Sequence, residues 1–233
     1  MNKYLKYLKI QLCLLTIQIS NKMSDNTVTV SRSDPYSLDW VILKVLNTDE
    51  ILFLKNAIKN LITKLNIQKT TYDNITGIDC EQFDLFNHIN DTSYGMPVLK
   101  KIIAVVNDAL VASKITKNVN NVSAVWTING YENAFHEIHS HTPRNTLFNK
   151  GRPYGISVSI YLTVPTVVDP LRTGNLYAVL QDHNKDNYTF SHHPEEGDVL
   201  IFPSWIYHGT LPQSPGLRQT LNFDFILEDS YQE

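Results

Sequence analysis

Between residues 118 and 228 the chain runs as a series of short apolar segments rich in β-branched and aromatic residues: VSAVWTI (122–128), ISVSIYLTV (156–164), NLYAVL (175–180), DVLIFP (198–203) and RQTLNFDFIL (218–227). Gly, Pro, Asn and Asp separate them. Segments this short cannot each bury a helical face, and turn residues at every junction send the chain back on itself. The pattern predicts strands packed as a sandwich or barrel. Ahead of it the period changes. Residues 38–46 read as one strand, and Ile51, Leu54, Ile58, Leu61, Ile62 and Leu65 then recur at helical spacing, with Thr48 placed to cap them. Val98, Ile102, Val105, Val106 and Ala109 mark a second helix from about Pro97 to Ser113, with Pro97 in its first turn. Residues 67–95 are polar and turn-rich, and residues 23–36 read as an extended lead-in.

The expected fold is therefore mostly β with N-terminal helices. No internal repeat or flexible linker interrupts it, so residues 23–233 form one domain, with a helical layer over about 48–115 and a β core over about 120–228. Residues 1–22 pair a basic start with a short apolar run, which reads as a signal-like segment, an amphipathic helix or an extended N-terminus. That run is too short to span a membrane, which needs about 20 residues.

Net charge is -3 and the pI is near 6.2, so no basic field exists to neutralise phosphates, and extended nucleic-acid binding is not expected. The two cysteines, Cys13 and Cys80, build no zinc site or disulfide framework. A reducing, cytoplasmic location is the simpler reading, with secretion left open by residues 1–22.

Two segments carry chemistry. In FHEIHSH (135–141), strand alternation puts Phe135, Glu137, His139 and His141 on one side and His136, Ile138 and Ser140 on the other. Two imidazoles two residues apart on a strand can point at one metal ion. In EEGDVLIFPSWIYHGTLPQSPGLRQTLNFDF (195–225), a Gly-Asp turn opens an apolar strand, His208 follows it, and Arg218 begins the next strand with Thr220 on its face. A guanidinium directed into a barrel needs an anion to meet it, and a carboxylate is the natural partner. His88, His183, His192 and His193 read as surface histidines.

The order of these features, H-x-H, then YLTVP, then GDVLIFPS, then a histidine and an arginine ten residues on, resembles the 2-oxoglutarate/Fe(II)-dependent oxygenases, nearest to the small ones of phage and environmental genomes. The similar stretch runs from about Trp126 to Phe225. The resemblance implies a double-stranded β-helix (a jelly roll, cupin-like). It implies Fe(II) held by His139, His141 and His208, and 2-oxoglutarate held by Arg218 with Thr220 and Tyr161. Trp126 and Asn129 would lie nearby. The implied activity is hydroxylation of a protein side chain or small molecule, releasing succinate and CO2, with ascorbate as an accessory reductant.

Two departures stand out. The usual ligand set is two histidines and a carboxylate, and His141 occupies the place of the acid; Glu137 is the alternative source of one. The segment TPRNTLFNKGRPYG (142–155) is longer than the family's turn, so Arg144, Arg152 and Tyr154 either contact substrate or belong to a solvated loop. Two rival readings remain: a three-histidine cupin-type dioxygenase that needs no 2-oxoglutarate, and a non-catalytic jelly-roll binding module.

Overall fold

The structure, a computed structural model, describes residues 28–32, 38–70, 80–90, 93–141 and 155–229. The expectations for residues 1–22, and for Arg144, Arg152 and Tyr154, lie outside the described residues. In chain order the elements are β1 (Val28–Arg32), β2 (Trp40–Val45), α1 (Thr48–Lys64), β3 (Cys80–Asp84), α2 (Phe86–Ile89), α3 (Gly95–Ala112), β4 (Lys117–Gly130), β5 (His136–His139), β6 (Gly155–Thr163), β7 (Leu176–Gln181), β8 (Asn187–His192), β9 (Asp198–Pro203), β10 (Tyr207–Thr210) and β11 (Arg218–Asp229).

The strands form two antiparallel sheets. The larger has the order β1-β2-β9-β6-β11-β4-β3 and the smaller β5-β10-β7-β8. Neighbours in space are mostly distant in sequence, as in a jelly roll. Alternation along each strand sorts the core into two layers. Leu221, Phe223 and Phe225 of β11 and Ile156, Val158 and Ile160 of β6 face the helices, where Leu54, Ile58, Leu61, Ile102 and Val106 cover them. The opposite face of the large sheet contributes Val41, Tyr161, Leu200 and Phe202, which pack on Leu176, Ala178 and Leu180 of the small sheet. The functional residues sit in this second layer, between the sheets.

Several boundaries differ from expectation for local reasons. Asn47, rather than Thr48, caps α1: its side chain accepts from the Glu50 amide at 2.9 Å, and Glu50 returns the bond to the Asn47 amide at 2.9 Å. The stretch expected to be turns holds β3 and α2. Here β3 is an edge strand paired to β4, with a single bridge from Thr70 to Gln82 on its outer side, so it needs no apolar alternation. The same holds for β8, the polar outer strand of the small sheet. Helix α3 begins two residues before Pro97, at Gly95, where a side chain would collide with the backbone of Ile89. Among the described residues, no helix is long and apolar enough to cross a membrane.

Candidate metal centre

His139 and His208 lie directly opposite one another across the β5–β10 pair, and His141 follows β5, its amide donating to the Ser204 carbonyl at 2.9 Å. Their rings converge. Centroids are 4.5 Å apart for His139 and His208, 4.8 Å for His141 and His208, and 5.0 Å for His139 and His141. Among the described residues these three form the cluster able to hold a metal ion, with ligand atoms within 4.8 Å of each other. Phe202 packs edge-on against His208 at 4.6 Å, and Trp126 lies 5.4 Å from His141.

Each ring has its Nδ1 already engaged by an acceptor. His139 Nδ1 meets the Glu137 carbonyl at 2.7 Å, His208 Nδ1 the Ile206 carbonyl at 3.0 Å, and His141 Nδ1 the Asp224 carboxylate at 2.8 Å. A carbonyl or carboxylate can only accept, so Nδ1 carries the proton in all three and Nε2 presents a lone pair. Yet His139 Nε2 and His141 Nε2 stand 3.0 Å apart. Two lone pairs facing one another at that distance repel unless a cation lies between them. Adjacent ligands of an octahedral ion with metal–nitrogen bonds of about 2.1 Å are separated by about 3.0 Å, so the donor set fits a divalent metal. Burial depresses the pKa of His208 well below its ordinary value and that of His139 as well, which keeps both imidazoles neutral and able to ligate.

Asp224 was not among the residues singled out from sequence. It projects from β11 beside a bulge, where Ser123 is the extra residue on β4, and Ser157 Oγ donates to it at 2.7 Å. Glu137 does not join the cluster. It is exposed, and only its backbone carbonyl reaches a site residue, His139. The expectation that Glu137 shares a face with His139 and that His136 points away is therefore corrected. The β5–β10 register slips between the His208–His139 and Thr210–His136 pairs. This irregularity turns His136 inward, so that its ring meets that of His139 edge-on at 5.9 Å. Burial, then the nearby Arg218 charge, pushes the His136 pKa down to about 3.

Arg218 opens β11 and is buried, with 5% exposure. It donates to the Gly174 carbonyl at 3.1 Å and to Thr210 Oγ1 at 3.3 Å. No described carboxylate lies in ion-pair reach of it. Burial lowers its pKa, and the acids facing it are the Tyr161 phenol and the Cys80 thiol. Tyr161 is fully buried, with its own pKa pushed up to about 12, chiefly by burial, so it stays protonated and available as a donor. Thr220 pairs directly with Tyr161 across β11 and β6, next to a second register shift, and its hydroxyl accepts from Asn222 at 3.0 Å. Asn129 is turned to Gln219. His183 is exposed at the β7–β8 turn, whereas His192 is half-buried and bonds to Asp198 at 2.7 Å, a structural contact.

No protein-family model matches the chain, and no curated protein matches it in sequence. Solved structures do match by shape. A prolyl-4-hydroxylase from Pseudomonas putida is 13% identical over 82% of this chain and 93% of its own, with a TM-score of 0.55. A Trichoplax adhaerens prolyl hydroxylase, solved with a peptide of hypoxia inducible factor, is 10% identical over 86% and 84%, at 0.54. HygX from Streptomyces hygroscopicus, solved with nickel and 2-oxoglutarate bound, is 12% identical over 97% and 87%, at 0.51. At these identities the likeness establishes architecture, and by architecture the chain is a jelly roll of the kind that 2-oxoglutarate-dependent oxygenases use.

Proposed function

We propose that this chain is an Fe(II)- and 2-oxoglutarate-dependent dioxygenase that hydroxylates its substrate with release of succinate and CO2. The observation that carries this reading is Arg218. A buried guanidinium with no described carboxylate partner is a standing site for an anion, and its charge acts on His136, whose ring meets that of His139 in the cluster of three imidazoles. A dicarboxylic cosubstrate spans those two features. His139, His141 and His208 hold the metal, while Arg218, Tyr161 and Thr220 hold the distal carboxylate. Leu176, Leu200 and Phe202 pack together between the sheets. Dioxygen would be the oxidant, with one oxygen atom going to the substrate and the other to succinate as 2-oxoglutarate is oxidised and loses CO2; bound iron would supply the activation of dioxygen, and the chain orients the groups.

A protein side chain is the favoured substrate. One of the structures of like shape is a prolyl hydroxylase solved with a peptide, which suits that choice. The helical layer and barrel act as one domain. Cytoplasmic residence suits it, because ferrous iron and the Cys80 thiol stay reduced there.

The test is an anaerobic titration of metal-free protein with Fe(II) and then 2-oxoglutarate, following the visible charge-transfer band of the chelate. The band is expected in wild type, absent in His208→Ala and weakened in Arg218→Ala. Iron binding with no band would favour the three-histidine dioxygenase, which the all-nitrogen ligand set permits. Failure to bind iron would leave a binding module.

A further inference from the structure

We propose that Asp224 is the positioning carboxylate of this centre: it locks His141 with Nε2 toward the metal and supplies, behind the imidazole, the negative charge that a carboxylate ligand would supply directly. The inference rests on the metal reading above and deepens it.

Three neutral imidazoles, one of them buried and two half-buried, leave a divalent ion with its full double charge. Some negative charge nearby offsets this. Asp224 is placed to provide it. Its Oδ1 accepts from His141 Nδ1 at 2.8 Å and from Ser157 Oγ at 2.7 Å. Both side chains are largely buried, with 15% exposure for His141 and 17% for Asp224. No described lysine or arginine pairs with Asp224. A mostly buried carboxylate whose described side-chain partners are one serine and one imidazole is organised around that imidazole. The backbone supports the aim: the β4–β11 register shifts next to Asp224, and Ser123 Oγ donates to the Asp224 carbonyl at 3.1 Å, holding the bulge. Ser157 Oγ also lies 3.0 Å from His141 Nδ1 and 3.4 Å from Ser204 Oγ. Because the same stretch of backbone ties the His141 amide to the Ser204 carbonyl, ring and main chain are fixed together. Such outer partners orient a ligating histidine and raise its basicity.

The experiment is a double-mutant cycle on the full chain, read as Co(II) affinity by competition with a chromophoric chelator. The four proteins are wild type, Asp224→Asn, His141→Asp and the double variant. Asp224→Asn keeps the shape and the acceptor oxygen while removing the charge. It is expected to weaken Co(II) binding by about 10–100-fold. In the His141→Asp background the carboxylate is again a ligand, so Asp224→Asn is expected to change affinity by less than about threefold or to improve it. An equal loss in both backgrounds, or no loss in wild type, overturns the proposal. If wild type itself binds no Co(II), the metal reading falls and takes this inference with it. A second readout keeps the test independent of affinity. In the Co(II) protein the His141 Nδ1–H gives a slowly exchanging, paramagnetically shifted proton signal, expected to vanish in Asp224→Ala while the His139 and His208 signals remain. Retention of all three signals in Asp224→Ala counts against it.

Discussion

Replacing Arg218 by Met is expected to stabilise the ligand-free protein while abolishing its response to 2-oxoglutarate. The guanidinium is 5% exposed, and its described partners are a carbonyl and a hydroxyl, both neutral. Leaving a charge buried without a counter-charge costs several kcal/mol, which methionine removes while filling most of the same volume. Against that, the Gly174 carbonyl and the Thr210 hydroxyl lose a donor, at about 1 kcal/mol each. The balance is a gain of about 1–2 kcal/mol, or a Tm rise of about 2–8 °C for a domain of this size. Ligand acts oppositely. Wild type with 2-oxoglutarate at a hundredfold excess over Kd gains about 2.7 kcal/mol. Two charge-assisted bonds to the distal carboxylate are worth about 1.5–3 kcal/mol each, so their loss raises Kd by roughly two to four orders of magnitude. Scanning fluorimetry of the Ni(II)-loaded proteins, with and without 2-oxoglutarate, reads both effects. A ligand-free variant that melts more than about 4 °C below wild type would show the guanidinium to be a structural element. An undiminished 2-oxoglutarate shift in the variant would show that the carboxylate binds elsewhere.

Gly174 has φ +66, and a Cβ there would stand 3.2 Å from Arg218 Nη1. Gly174→Ala is therefore expected to lower stability by about 1–2 kcal/mol and to weaken 2-oxoglutarate binding at least tenfold, with Co(II) affinity unchanged; calorimetric titration of both ligands separates the two. His136, His139 and His208 all have depressed pKa values, with His136 at about 3, so the unfolded chain takes up protons before the folded one. Stability of the metal-free protein is then full above about pH 6.5 and falls as pH drops below it, with the His136 contribution lost progressively down to about pH 3. Urea unfolding at pH 7.5, 6 and 5 checks this, and a midpoint indifferent to pH would mean the imidazoles are solvated. Asn47→Ala removes the side-chain half of the α1 cap, leaving the residue-47 amide to donate to Glu50, and should cost about 1 kcal/mol, a Tm fall of about 2–4 °C, with no effect on metal affinity.

What could be read from the sequence divides along a physical line. The five apolar runs became strands because their side chains are buried on one or both faces, a property written in the residues themselves. The edge strands β3 and β8 carried no such signal, since hydrogen bonding to a neighbour stabilises them rather than an apolar face of their own. His139, His141, His208 and Arg218 stood out by residue type and spacing. Asp224 did not, because its value depends on a contact with a ring 83 residues away.

His136 and Glu137 were assigned to the wrong sides for a more specific reason. Alternation assumes an unbroken ladder, and β5 is four residues long with a register slip inside its pairing. Similar slips occur at Gln219/Thr220, beside Arg218, and at Asp224/Phe225. These three slips fall beside candidate site residues, where bulges are expected to concentrate, while a further one at Ile226/Leu227 involves none of them. The same point explains how His141 can stand where an acid is usual. On a regular β11, a carboxylate at position 224 would have no special claim on that imidazole. With the bulge, it reaches the far side of the ring. On the proposed reading a histidine and an aspartate stand in series, so histidine in place of an acid would alter the donor atom at the metal while a negative charge stays within the same wall of the barrel.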